Sequence, residues 1–166
     1  MKRILLITAI AFSGLLLQSQ TVSLKGVSLG GVFEDDNPFV NEKGTKFFET
    51  TVAGYNGEIL IIESDFSDTI VGLGFETTGA YIIRDDFEIF KAAVQKNYDI
   101  ELKQYEDTDT YSARKGKIFY MLLFVDMRDS GYAGAVNGYS IGFFITDEGL
   151  EEKDEQKRKD KAAEDF

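Results

Sequence analysis

Apolar and polar positions change rhythm several times along this chain. Residues 4–17 form an apolar run interrupted only by Thr8, Ser13 and Gly14. Val22, Leu24, Val27 and Leu29 then alternate loosely about Gly26, the pattern of a first strand with a bulge. Residues 30–44 are polar, and Pro38 would interrupt a long helix there, which predicts a loop or one short helix. Sheet periodicity follows. Residues 47–53 and 58–63 read as strands joined by a turn at Tyr55-Asn56-Gly57, since Asn-Gly accepts positive φ at low cost. Residues 69–76 form a third strand, with Val71, Leu73 and Phe75 on one face and Gly72 and Gly74 on the other. Such a glycine row lets another backbone or a helix come close.

Helical spacing is clearest once. Ile83, Phe87, Phe90, Val94 and Tyr98 recur at intervals of three or four, which predicts a helix over 82–97. Asp85 and Asp86 fall in its first turn and Lys91 and Lys96 later, matching the helix dipole. Its aromatic stripe reads as core. Three strands follow: 100–105 alternates weakly, 118–127 is almost continuously apolar and reads as a strand buried on both faces, and 139–145 alternates strictly. The connections 106–116 and 129–138 are rich in Gly, Ser and Asp, as recognition loops often are. The tail, 147–166, is densely charged and predicts a solvated helix or a disordered segment, with Asp154–Arg158 and Glu155–Lys159 as i,i+4 pairs. The order of elements gives an α+β class: a mainly antiparallel sheet, one long helix (82–97) and a short or irregular first helix. Blocks 33–76 and 82–146 read as a tandem αβββ duplication, each with a helical entry and a three-strand meander.

Composition narrows the chemistry. The 166 residues include no His, no Cys, no Trp and a single Pro, with 18 Lys plus Arg against 29 Asp plus Glu. Without His or Cys there is no Ser-His-Asp triad, no Cys-His dyad, no disulfide framework and no zinc site of the usual kind. The formal charge of -11 argues against nucleic acid as a partner. Met1, Lys2 and Arg3 precede the apolar run, and Ser19 supplies a small residue behind it, the build of a secretory leader over 1–19. The run is too short to span a bilayer. Cleavage there removes 19 residues carrying two positive charges, leaving 147 residues at -13, enough for a single α+β domain over 20–146. The expected location is the periplasm or exterior of a Gram-negative cell, with no membrane span after cleavage.

Lys25-Gly26-Val27-Ser28-Leu29-Gly30, the stretch 47–62 around Val52-Ala53-Gly54-Tyr55, the strand 69–75, the Phe87, Phe90, Tyr98 helix and Tyr139-Ser140-Ile141 together carry a likeness. The chain resembles small secreted proteins of Bacteroides-type bacteria whose fold is like that of the β-lactamase-inhibitor protein, with tandem αβββ units. The resemblance implies an inhibitor-like or other binding role and brings no catalytic residues. The chain departs from that pattern in its first helix, which carries Pro38, and in lacking a Cys on the second strand of the meander.

Acidic loops are the only catalytic or metal-binding material. Glu34-Asp35-Asp36-Asn37 and Glu106-Asp107-Thr108-Asp109 are oxygen-rich, and Asp107 and Asp109 are the weak Ca²⁺ candidates. Neither loop has the Gly at position six or the Glu at position twelve of an EF-hand. The Gly-rich run at 130–138 lacks the Lys-Ser/Thr of a phosphate loop. No catalytic residue and no cofactor is expected. The leading expectation is a non-catalytic secreted binding module for a protein or glycan, with Tyr55, Tyr111 and Tyr132 in turns or loops as contact residues. An acidic inhibitor or immunity-type protein against a basic enzyme or toxin is the alternative, and a Ca²⁺-dependent hydrolase a weaker one.

Overall fold

A computed structural model describes residues 22–35, 38–42, 44–78, 82–127 and 138–164. The expected leader at 1–19 and Tyr132 lie outside the described residues. The chain runs β1 (Ser23–Leu24), β2 (Val27–Ser28), β3 (Phe39–Val40), β4 (Lys46–Val52), β5 (Tyr55–Glu63) and β6 (Ile70–Thr77). It continues through α1 (Arg84–Tyr98), β7 (Lys103–Gln104), β8 (Thr110–Lys115), β9 (Ile118–Asp126), β10 (Tyr139–Asp147) and α2 (Glu148–Glu164). The α+β class stands. Strands β1 and β2 form a small hairpin; the other eight make one antiparallel sheet in the order β3-β4-β5-β6-β10-β9-β8-β7.

That order is two meanders joined through their last strands. β5 and β9 are both nine residues long, and alternate residues are buried in each: Gly57, Ile59 and Ile61, then Tyr120, Leu122 and Phe124. At the join, Leu73-Gly74-Phe75 meets Ile145-Phe144-Phe143, and Phe75 stands directly opposite Phe143. Phe75 pairs with Ile59 on its other side and Phe143 with Leu122, the fifth residues of β5 and β9. A pseudo-two-fold axis therefore passes between the two phenylalanines.

One helix covers this axis. α1 buries Phe87, Phe90 and Val94 against the sheet. Phe90 stacks on Phe75 at 5.7 Å and meets Phe143 at 6.4 Å, while Phe87 lies 5.0 Å from Phe124. Asp86 holds the start of the helix: its carboxylate accepts the Ile83 N–H at 3.1 Å and the Tyr55 hydroxyl at 2.9 Å. At the other end Asp99 takes a left-handed conformation (φ 52°), and Lys115 donates to the carbonyls of Tyr98 and Asp99.

Several boundaries differ from the sequence expectation. The helix starts at Arg84 because Ile83 serves as its N-cap, and Ile83 is exposed while neighbouring Ile82 is buried instead. The described residues of 33–44 contain no helix; after Pro38 they form β3 and a tight return to β4. The block 106–116, expected as a loop, contains β8, whose single large apolar residue hides its period. The strand expected over 100–105 shrinks to Lys103–Gln104. β9 buries only one face; the strand buried through both faces is β6, from Ile70 to Phe75, at the centre of the sheet. The tail is helical: α2 ties itself to the sheet through Arg114–Glu148, Lys117–Glu152 and Arg158–Asp65, with Glu155–Lys159 along its own surface. Among the described residues no helix is long and apolar enough to cross a membrane.

Candidate binding surface

A helix layer on one side leaves the other face of the sheet to be read from register alone. Side chains alternate across a strand, so the neighbours of the buried Ile59, Ile61, Leu122 and Phe143 point away from α1. On that far face Phe47, Leu60, Gly74, Phe144 and Met121 stand opposite one another across five strands. Ile62 (37% exposed) and Val125 (39%) extend the apolar band toward opposite ends of β5 and β9. At the sheet edge Phe39, 62% exposed, stacks on Phe47 at 5.6 Å. Phe144 fills the trough over the glycines: a Cβ built on Gly74 would sit 2.8 Å from its ring, and one on Gly142 3.1 Å from it. This is why glycine occupies both positions.

Two residues along each strand, the same face turns acidic. Glu49, Glu58 and Glu76 are direct cross-strand partners on β4, β5 and β6. Like charges placed directly opposite oppose sheet formation. Among the described ion pairs none involves these three carboxylates. Burial, then the Glu49 and Glu76 charges, raise the Glu58 carboxyl above the ordinary carboxylate value. Among the described residues no three His, Cys, Asp or Glu side chains group closely enough to hold a metal ion.

Of the tyrosines singled out from sequence, Tyr55 and Tyr111 lie on the helix side. Tyr55 opens β5, half-buried, its ring 6.1 Å from Phe90 and its hydroxyl donating to Asp86. Burial first, and the Asp86 carboxylate second, raise its pKa. Tyr111 is not in a loop: it sits in β8, 9% exposed, its ring 5.4 Å from Phe87 with the Lys91 ammonium 4.4 Å over it. Asp109, a Ca²⁺ candidate, accepts from the Arg84 guanidinium at 2.5 Å, and Asp107 lies exposed in the turn before β8.

An open cleft of about 750 Å³ lies beside β7 and β8, lined by Ile100, Lys103, Tyr105, Arg114 and Lys115 among others. Its arginine is held by Glu148 and the Phe119 ring, and Lys115 by Asp99. Two of its three cations are thus already satisfied. Sequence reasoning, which left a sheet face and the long loops as alternatives, did not name the residues of the far face, because alternation in β5 and β9 is blurred by apolar residues on both sides, as in Ile59-Leu60-Ile61-Ile62. The signal present in the sequence was that apolar excess. Comparison of the chain with family models, with curated proteins and with solved structures returned no match.

Proposed function

We propose that this chain is a secreted, non-catalytic binding module whose ligand surface is the sheet face opposite α1. The observation carrying the reading is the half-exposed apolar band from Phe39 through Ile62 to Val125, set on a sheet whose other face packs against α1 to form the core. Contiguous apolar surface of this kind marks interaction sites. Its rings are phenylalanines, which offer no hydrogen-bonding atoms, so the face suits a protein better than a glycan. Secretion rests on the leader pattern at 1–19, and the lack of enzymatic activity on the absence of His and Cys from the chain.

The acidic inhibitor or immunity-type reading gains support from one further observation: Glu49, Glu58 and Glu76 stand in one row beside the apolar band. Such a row would steer a cationic protein toward the face. The test is affinity capture from periplasmic extract with residues 20–166 and with an Ile62→Lys/Val125→Lys variant. Both replaced side chains are partly exposed, so the fold tolerates the change. A species retained by the parent chain and lost by the variant is the expected result; identical capture by both would overturn the reading.

A further inference from the structure

The sheet ends unevenly at β4. This strand runs from Lys46 to Val52, but β3 covers it only at Lys46 and Phe47. Beyond Phe47, no strand among the described residues pairs with the outer edge of β4.

The register says which backbone groups are left there. β4 and β5 are joined by the two-residue turn Ala53-Gly54, both at positive φ (51° and 90°), so Val52 and Tyr55 form the closing hydrogen-bonded pair. Alternation along an antiparallel ladder then turns Thr50 and Phe48 inward to β5, and Glu49 and Thr51 outward. The phase is confirmed across β5, where the Asn56 carbonyl points away from β4 and accepts the Thr78 N–H at 3.1 Å. Glu49 and Thr51 are both exposed residues. The outer edge therefore presents two N–H and two C=O groups in strand geometry.

The acidic row ends at this same place. Reading outward from Glu76 through Glu58, its last member is Glu49 on the open edge. Whatever pairs with Glu49 becomes the fourth residue of that row. A second copy of this chain, joined edge to edge about β4, would bring another Glu49 close and add to the repulsion, so charge disfavours self-pairing. A Lys or Arg would relieve it, and would stand beside an unpaired Glu49 with Glu58 behind it.

We infer that the outer edge of β4 accepts an extended segment of a basic partner protein, which adds a strand through Glu49 and Thr51 and places a Lys or Arg opposite Glu49. This deepens the binding-module reading, and rests on it, by naming the partner's class and its mode of docking. Strand addition takes affinity from main-chain hydrogen bonds and specificity from alternate side chains. Here the alternate side chains on the open face meet Glu49 and, at the β3 end, the exposed Phe39 ring.

The probe is an end-blocked hexapeptide of alternating Lys and Val, with the corresponding Glu and Val peptide as control. Hydrogen exchange of the folded chain followed by NMR reads the site directly. The Lys peptide is expected to slow exchange of the Glu49 and Thr51 amides by at least about tenfold, less so as salt rises. The Glu peptide leaves them unchanged. Glu49→Lys should reverse the preference between the two peptides, and Thr51→Pro, which removes an outward N–H and the exposed Thr51 hydroxyl bond to Asn56 but no N–H of the β4–β5 ladder, should abolish protection at the edge while the sheet stays intact. Protection that is absent, that falls elsewhere, or that survives both variants overturns the inference, as does a concentration-dependent dimer occupying the same amides. If the edge variants capture the periplasmic partner normally while Ile62→Lys/Val125→Lys does not, the edge assignment fails and the binding-module reading stands; if all variants capture it normally, both fail.

Discussion

Glu58 is where the sheet works against itself. Its carboxyl binds a proton more tightly in the folded chain than in the unfolded one, because burial and the flanking Glu49 and Glu76 charges disfavour its ionised form. The penalty is absent well below the ordinary value of 4.5, sets in as the pH rises through it and is complete above the raised folded value. Glu58→Gln should therefore raise stability at pH 7 by about 0.5 kcal/mol, and denaturant titrations should show the gain disappear toward pH 3. Natural chains tolerate local conflicts of this kind mainly at functional sites. Gly57 is the opposite case, a residue fixed by space. A Cβ there would lie 2.2 Å from the Glu76 carbonyl oxygen and 2.5 Å from the Phe75 ring. Gly57→Ala should cost on the order of 3 kcal/mol, whereas at Gly44, where a Cβ meets nothing within 4 Å, the same change costs only the strain of φ +82°, about 1 kcal/mol. Equilibrium unfolding of the two variants separates crowding from backbone strain.

At the scale of elements, α1 depends on Asp86 more than its sequence position implies. The carboxylate caps the helix at Ile83 and anchors Tyr55 on β5, so it joins helix to sheet. Asp86→Ala should lower stability by about 2 kcal/mol and Tyr55→Phe by about 1 kcal/mol; the double variant should cost less than the sum, because the two losses share one hydrogen bond. α2 stands in contrast. Its described side chains are mostly exposed, and its links to the sheet are surface ion pairs, which contribute little. The elements with strong internal rhythm were legible in advance: α1 from its four-and-three spacing, β10 from its strict alternation. β8 was not, since Thr110-Tyr111-Ser112-Ala113-Arg114-Lys115 offers one large apolar residue and its burial comes from Phe87, 24 residues earlier.

For the whole molecule, the sheet is two meanders held together by the β6–β10 pairing and roofed by α1 across the join. Phe90 touches both halves at that axis, and Phe90→Ala should cost about 4 kcal/mol and lower the cooperativity of unfolding, measurable as a changed denaturant slope. Charge acts on the molecule as a whole as well. With a formal charge of -11 and most of the described ion pairs at the surface, self-repulsion opposes compaction. Raising ionic strength from about 0.01 M to about 0.5 M should therefore raise the melting temperature, and the same salt should weaken any cationic partner. Equal salt dependence in Glu58→Gln and the parent chain would place the repulsion outside the acidic row.

The sequence by itself determined the α+β class, the long helix, the acidic character and the absence of His and Cys chemistry. These are properties of local period and composition, and a window of ten or fifteen residues contains them. Only the tertiary structure decided that β6 pairs with β10, that Tyr55 and Tyr111 face the helix side, and that Glu49, Glu58 and Glu76 form one row ending at an uncovered edge. Those facts depend on register between strands far apart in the chain. A shift of one residue would move every side chain of a strand to the other face, so the surface exists only once the pairing is fixed.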